Sequence, residues 1–339
     1  MSLEVVLIYI VVLVVTYLLL RYYCVFSPFW NLIDVPNHRS SHKKPIPRGA
    51  GICMAVGFFF GLCFLFFFDV IELQWLLPLA ISVPLVTIIG FLDDRKSLSP
   101  GLRFGMQFSS ALLAIVALTD LLRVPLETDF LPINSQIALV PLTILFIGWM
   151  INLYNFMDGI DGLAGIEGFT VSIWAMIITF LQGYYEQFYL YTLLLAVLAV
   201  FLWFNWYPAK VFMGDAGSYF LGSTFAVLAL MGDQYTGMSV ATNIILLAAF
   251  IVDASYTLIV RYRQGDNLTH AHKTFGFHKA RKRGFRVSKI AFCYGAFNLF
   301  YLGPIAMLTI KIPEYSWLLV IIAFAPIVVF VSQVQAGKE

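Results

Sequence analysis

The chain has 339 residues, of which 60% are apolar, 17% aromatic and only 12% charged, with a formal net charge of +2. That composition excludes an average soluble globular domain and gives a polytopic membrane protein, for which no nucleic-acid partner is expected. Cys24, Cys53, Cys63 and Cys293 lie in or beside apolar runs without a C-x-x-C spacing, which suits neither a disulfide framework nor a zinc ribbon.

Apolar runs long enough to cross about 30 Å of hydrocarbon at about 1.5 Å per residue fall at roughly 3–22, 49–70, 75–92, 104–122, 135–153, 164–182, 187–204, 216–232, 240–260, 288–310 and 316–335. The spacing therefore predicts an all-α polytopic membrane protein of about eleven transmembrane helices, one integral membrane domain over residues 1–339. The first run carries Glu4, no leading Lys or Arg and no A-x-A-like site, so it reads as a span that stays. With the loop of Arg39, Lys43, Lys44 and Arg48 inside, only Arg123 and Lys311 of the 21 Lys and Arg fall outside. The N-terminus is then outside and the C-terminus cytoplasmic.

This orientation gathers the polar clusters on the cytoplasmic face. The first loop, Asn37 to Gly51, is basic, Pro-restricted and Gly-ended; it reads as a topogenic loop whose Lys or Arg groups could also reach a sugar nucleotide. Asp93 and Asp94 follow the end of a helix whose dipole disfavours them, so they would gain from a cation or a phosphate-bound metal. Asn152, Asn155, Asp158 and Asp161 recur every three residues, each step drifting by about 60° on a helix of about 100° per residue. With Gly159, Gly162 and Gly165 among them, the pattern predicts a tightened or interrupted helix that turns these side chains towards one cavity.

Asn205 to Ser218 ends one span and begins the next. Asp215 suits a helix N-cap, yet Gly214 and Gly217 leave backbone N–H groups open to a phosphate or a metal-bound phosphate. Phe212 and Tyr207 read either as interface anchors or as platforms for a flat base. Asp253 is placed about 12 Å inside its span, eight residues before Arg261, as the one ionisable residue well within a helix. The loop from Arg261 to Lys289 carries nine Lys and Arg against the single acid Asp266, a surface for anionic membrane lipids. His270, His272 and His278 lack a Cys or carboxylate to complete a zinc set and read as groups that grip a diphosphate.

Pro45-x-Pro-Arg-Gly-x-Gly51, Asp93-Asp94, Asn155-x-x-Asp-Gly-x-Asp-Gly-Leu-Ala164, Asn205 with Pro208-Ala-Lys-Val-Phe-Met-Gly-Asp-x-Gly-Ser218, and a late His-bearing loop follow in this order along nearly the whole chain. The set resembles the polyprenyl-phosphate N-acetylhexosamine-1-phosphate transferases, glycosyltransferase family 4. The span count and the loop His270-Ala-His272, which departs from consecutive histidines, look more like the initiating transferases of O antigen and other surface polysaccharides than phospho-N-acetylmuramoyl-pentapeptide transferase.

The resemblance implies a cytoplasm-facing active site in a bacterial inner membrane, with UDP-N-acetylhexosamine and polyprenyl (undecaprenyl) phosphate as substrates and Mg²⁺, or Mn²⁺ in its place, as cofactor. Carried over by motif, Asp215 resembles the main metal ligand and Asp93 and Asp94 the catalytic pair near lipid phosphate and metal. Asn155, Asp158, Asp161 and Asn205 resemble the nucleotide-sugar pocket, Phe212 the uracil platform, and Lys43 or Lys44 the nucleotide-contacting lysine. A homodimer is compatible with the sequence. Two rivals are a transporter or flippase for an anionic or lipid-linked substrate, and a CDP-alcohol phosphatidyltransferase, whose Asp-Gly-x-x-Ala-Arg pattern is not matched where Asp161-Gly162 leads to Leu163-Ala164-Gly165.

Overall fold

The computed structural model describes residues 2–36, 44–118, 136–268 and 273–338. Among them the chain forms fourteen α-helices. These are α1 (Leu3–Phe26), α2 (Gly51–Phe67), α3 (Leu73–Arg95), α4 (Pro100–Leu118), α5 (Gln136–Met157), α6 (Leu163–Gln182) and α7 (Tyr185–Asn205), then α8 (Gly214–Tyr235), α9 (Val240–Leu246), α10 (Ala248–Arg263), α11 (Gly276–Lys282), α12 (Val287–Phe297), α13 (Gly303–Lys311) and α14 (Ser316–Gln333). Two short antiparallel strands, β1 (Ile33–Asp34) and β2 (Ile46–Pro47), close the base of the first loop, Ile33 opposite Pro47 and Asp34 opposite Ile46. Helix ends follow local chemistry: Ser2 Oγ accepts the Val5 N–H at 3.4 Å to start α1, and Gly183, at φ 80°, ends α6.

Among the described residues eight helical segments are long and apolar enough to cross a membrane, which makes this a multi-pass membrane protein. The expected span 240–260 is instead two helices, α9 and α10, bent by 79°. The expected span 288–310 runs as one apolar segment Val287–Lys311 with a widened turn at Asn298–Leu302. Two other expected spans, 49–70 and 216–232, correspond to the 17-residue α2 and to α8, neither of which is among the eight. The predicted break in the stretch from Asn152 to Gly165 is present: α5 stops at Met157, α6 starts at Leu163, and residues 158–162 form the turn between them. Asp253 is not alone at depth. Glu167, in the second turn of α6, is also fully buried and accepts a hydrogen bond from Asn298 Nδ2 at 2.7 Å.

Helix α8 is the centre of the bundle, buried at every position from Ala216 to Gly232. A helix wrapped by other helices meets no lipid, so it is selected for close approach rather than for hydropathy; hence Gly217, Ser218, Gly222, Ser223, Ala226, Ala229 and Gly232 along its length. At Gly222 an added Cβ would stand 2.7 Å from Ile151 Cα and 2.9 Å from the Met150 carbonyl carbon on α5. Backbone atoms there have no rotamer with which to yield. At Gly51 and Gly217 the backbones of α2 and α8 meet directly, each glycine occupying the space that a Cβ on the other would need.

Gly222→Ala is therefore expected to destabilise the detergent-purified protein by about 1–3 kcal/mol through overpacking. Gly148→Ala on α5, where an added Cβ meets nothing within 4 Å, should leave stability unchanged or slightly raised. Thermal unfolding midpoints of the two variants check the contrast.

Candidate active site

The site forms where α3 ends and α8 begins. An acid at a helix C-terminus is disfavoured by that helix's dipole, but Asp94 at the end of α3 turns its carboxylate onto the N-terminus of α8. Its Oδ1 accepts the Asp215 N–H and its Oδ2 the Ala216 N–H, each at 3.1 Å. Asp94 thus provides the cap of α8, a role the sequence suggested for Asp215. Gly214, at φ 70°, makes the turn into α8, and a Cβ there would overlap the Asp94 carboxylate.

The first loop docks onto the same end. Phe212 N–H donates to the Pro47 carbonyl at 2.7 Å, while Ala50 and Gly51 donate to the Phe212 and Met213 carbonyls at 3.0 and 2.9 Å. Arg48 reaches past this seam and donates through Nε, at 3.0 Å, and through Nη2 to the Asp94 carbonyl, an otherwise unpaired group at the end of α3.

Asp93 is held differently. Its Oδ1 accepts the Leu98 N–H at 2.6 Å, and its Oδ2 pairs with Arg103 Nη1 at 3.2 Å. Asn155, near the end of α5, donates from Nδ2 to Asp215 Oδ1 at 2.7 Å and to Ser218 Oγ at 3.1 Å. Asn152, one turn earlier, faces α4 instead, donating to Gln107 Oε1 and to the Gly148 carbonyl, both at 2.7 Å. The three-residue drift thus sends Asn152 and Asn155 to different helices.

Asp158 accepts the Gly214 N–H, which brings the turn after α5 against α8. Burial, then the charges of Asp94 and Asp161, push its carboxyl up to about 7, with the Gly214 amide opposing. Asp161 Oδ2 accepts the Ala209 N–H at 3.0 Å. Asn205, only 3% exposed, is a staple between two loops: Oδ1 accepts from Gly162 N–H at 3.0 Å and Nδ2 donates to the Val211 carbonyl at 2.9 Å. Asp161 and Asn205 therefore fix the loop that carries Phe212, which is half-buried.

His278 is brought to the same place from the far end of the chain. Its Nε2 lies 3.3 Å from where a Cβ on Gly159 would stand, beside Asp158. Lys44 is exposed on the first loop. Lys43, His270 and His272 lie outside the described residues.

Sequence patterning alone did not single out Arg103, which pairs with Asp93, hydrogen-bonds Tyr219 and feels the charge of Asp215. Its signal was available: a lone cation ten residues after Asp93, one turn into α4. Arg48 stood out only as one of several loop cations, because its destination, a main-chain carbonyl, has no pattern in sequence.

Among the described residues no group of three His, Cys, Asp or Glu is arranged to hold a metal by itself. The expected ligand trio is thinned, since both oxygens of Asp94 face the amides of α8. What remains is Asp215 within hydrogen-bonding reach of Asp93, with Asp94 close by. Carboxylates so placed repel one another unless a cation or a proton joins them. Mg²⁺ usually takes one or two carboxylates and completes its shell with substrate phosphates and water, so this donor set fits a Mg²⁺ that arrives with a diphosphate.

Residues 75–233, which include Asp93, Asp94, Asn155, Asp158, Asp161, Asn205, Phe212 and Asp215, match the sequence model of glycosyl transferase family 4. A probable undecaprenyl-phosphate N-acetylglucosaminyl 1-phosphate transferase of Bacillus subtilis is 28% identical over 255 residues, covering 73% of this chain and 69% of its own length. The phospho-N-acetylmuramoyl-pentapeptide-transferase of Chlorobium chlorochromatii is 28% identical over 265 residues, covering 68% of this chain and 70% of its own. That of Chloroflexus aggregans is 33% identical over 206 residues, covering 54% of each. Through the segment that builds the carboxylate cluster, the chain is similar to glycosyl transferase family 4.

Proposed function

We propose that this protein transfers N-acetylhexosamine 1-phosphate from a UDP-sugar to polyprenyl phosphate, undecaprenyl phosphate in a bacterial cytoplasmic membrane, releasing UMP as the first membrane step of an O-antigen-like surface glycan. The observation that carries this reading is the meeting of Asp93, Asp94, Asp158 and Asp215 at the N-terminus of α8, with Arg48 and Arg103 beside them. The Bacillus subtilis relative, whose name gives it a sugar 1-phosphate transfer to undecaprenyl phosphate, supports it. Counting α2 and α8 with the eight apolar segments and the bent α9–α10 pair makes eleven crossings, with the N-terminus outside and the site on the cytoplasmic face.

A phosphate monoester has its second pKa near about 6, so the lipid acceptor is mostly dianionic at neutral pH and needs no strong base. Its oxygen attacks the sugar-bearing phosphorus; the bond from that phosphorus to the oxygen bridging the two phosphates breaks, and its electron pair leaves with UMP. Mg²⁺, or Mn²⁺, held by Asp215 with Asp93 beside it, would neutralise the diphosphate. Asn155 sets the rotamer of Asp215. Asp93, paired with Arg103 and Leu98, is a positioning group rather than a base. Asp158 and Asp161 shape the nucleotide-sugar side, and Lys44 and His278 close its rim. The basic α11 region faces anionic lipid headgroups.

Asp215→Asn should lower turnover by about 100-fold or more while the protein stays folded, because it removes a charge made useful only during transfer. UMP release by the purified protein, required to depend on both polyprenyl phosphate and Mg²⁺, is the measurement. Substrate crossing a vesicle membrane without UMP would instead establish a transporter.

Asp161→Ala loses the Ala209 hydrogen bond and should raise the KM for UDP-sugar about tenfold with the KM for lipid phosphate within about twofold. An unchanged donor KM would assign Asp161 to the fold alone.

A further inference from the structure

Asp253 is a fully buried carboxylate in α10 that the transfer chemistry does not use. Its partners come from two other helices, α11 and α12, and from its own helix. Oδ1 accepts the Gly276 N–H at 2.6 Å and the Thr257 hydroxyl at 3.4 Å; Oδ2 accepts the Tyr294 hydroxyl at 2.7 Å and the Phe277 N–H at 3.3 Å. Among the described residues no cation pairs with it. A buried charge is retained where amide and hydroxyl donors answer it, and here two of those donors are the first amides of α11.

The side chains of α11 next to those amides pack on the turn that carries Asp158 and Gly159. Gly276 lies so close that an added Cβ would stand 2.9 Å from Asp253 Oδ2. The next side chain, Phe277, is fully buried and leaves no room for a Cβ on Gly159, with 2.6 Å from that position to its Cζ. The His278 ring packs on Phe277 with centroids 4.0 Å apart, and Phe277 stacks through Phe275 onto Phe156 of α5, at 5.9 and 6.0 Å. The path from Asp253 to the Asp158–Gly159 turn is thus two hydrogen-bonded amides and a run of packed rings, without a flexible side chain in it.

We propose that Asp253 is a positioning residue for the transfer: it fixes the start of α11 and thereby the reach of His278 over the Asp158–Gly159 turn, at the donor-diphosphate end of the pocket. This rests on the transferase reading. The C-terminal tail also ties the loop, through Gly337 N–H to the Thr274 carbonyl at 2.8 Å, so a change at Asp253 should loosen α11 without freeing it.

The test is a double-mutant cycle on the full-length protein with Asp253→Asn and His278→Gln, read as KM for UDP-sugar, KM for polyprenyl phosphate and kcat. Asp253→Asn should raise the donor KM about tenfold and leave the lipid KM within about twofold, and on the His278→Gln background it should add less than about twofold. Full additivity, or equal shifts in both KM values, would overturn the proposal. Gly276→Ala, which displaces α11 without altering α10, must show the same donor-specific pattern. Should Asp253→Asn fail to fold, this variant carries the cycle. An activity-independent readout is the N-ethylmaleimide labelling rate of His278→Cys, followed by site-resolved mass spectrometry. Labelling should quicken about tenfold or more when Asp253→Asn or Gly276→Ala is added, since local opening controls it. Unchanged labelling rejects the anchor. Absent transferase activity with faster labelling rejects the transferase reading while keeping the anchor.

Discussion

The two hydrogen bonds that Asp94 accepts from the Asp215 and Ala216 amides of α8 are the constraint on which the remaining geometry depends. They convert an unfavourable placement, an acid at the negative end of α3, into a favourable one at the positive end of α8, where such a charge contributes about 0.3–1 kcal/mol or more when partly buried. They also fix the axial position of α8 against α3. From that register come the direction of Asp215, the reach of Asn155 and the seat of the first loop, whose Gly49 at φ 79° packs against the same carboxylate. A one-residue slip of α8 would present the wrong amides to Asp94 and turn Asp215 by about 100° away from Asn155.

The same device recurs around the candidate site. Asp158 takes the Gly214 amide, Asp161 the Ala209 amide, Asn205 the Gly162 amide, and Asp253 the amides of Gly276 and Phe277. Loops between membrane helices must satisfy their main-chain groups without strands or much water, and short acids and amides from neighbouring segments do so. The consequence is a set of loops held to one another and to the start of α8 by main-chain hydrogen bonds.

How much of this the sequence disclosed depends on the range of the signal. The broken helix between Asn152 and Gly165 was legible because a three-residue polar repeat with glycines is a local pattern, and α5 and α6 do part at residues 158–162. The Asp93–Asp94 pair and the Gly214–Asp215 turn were legible as polar groups at helix ends, but their division of labour was not. Which acid caps α8 depends on the packing of α3 against α8, more than a hundred residues apart in sequence. The count of spans was readable for lipid-facing helices and less so for α8, whose small residues answer to surrounding helices. Glu167 was missed for a related reason: its partner Asn298 lies on a different helix, and a single acid near a span end carries no local mark of its depth.

Arg103 and Arg48 show how the cations balance the acids. Arg103 is about one-third exposed, its side chain at 35%, so its bond to the 6%-exposed Asp93 is screened on one side and open to an incoming anion on that same side. Arg48 is committed through Nε and Nη2 to a main-chain carbonyl at the end of α3. Of the two, Arg103 has its charge paired with a carboxylate and partly exposed, whereas Arg48 is hydrogen-bonded to the main chain.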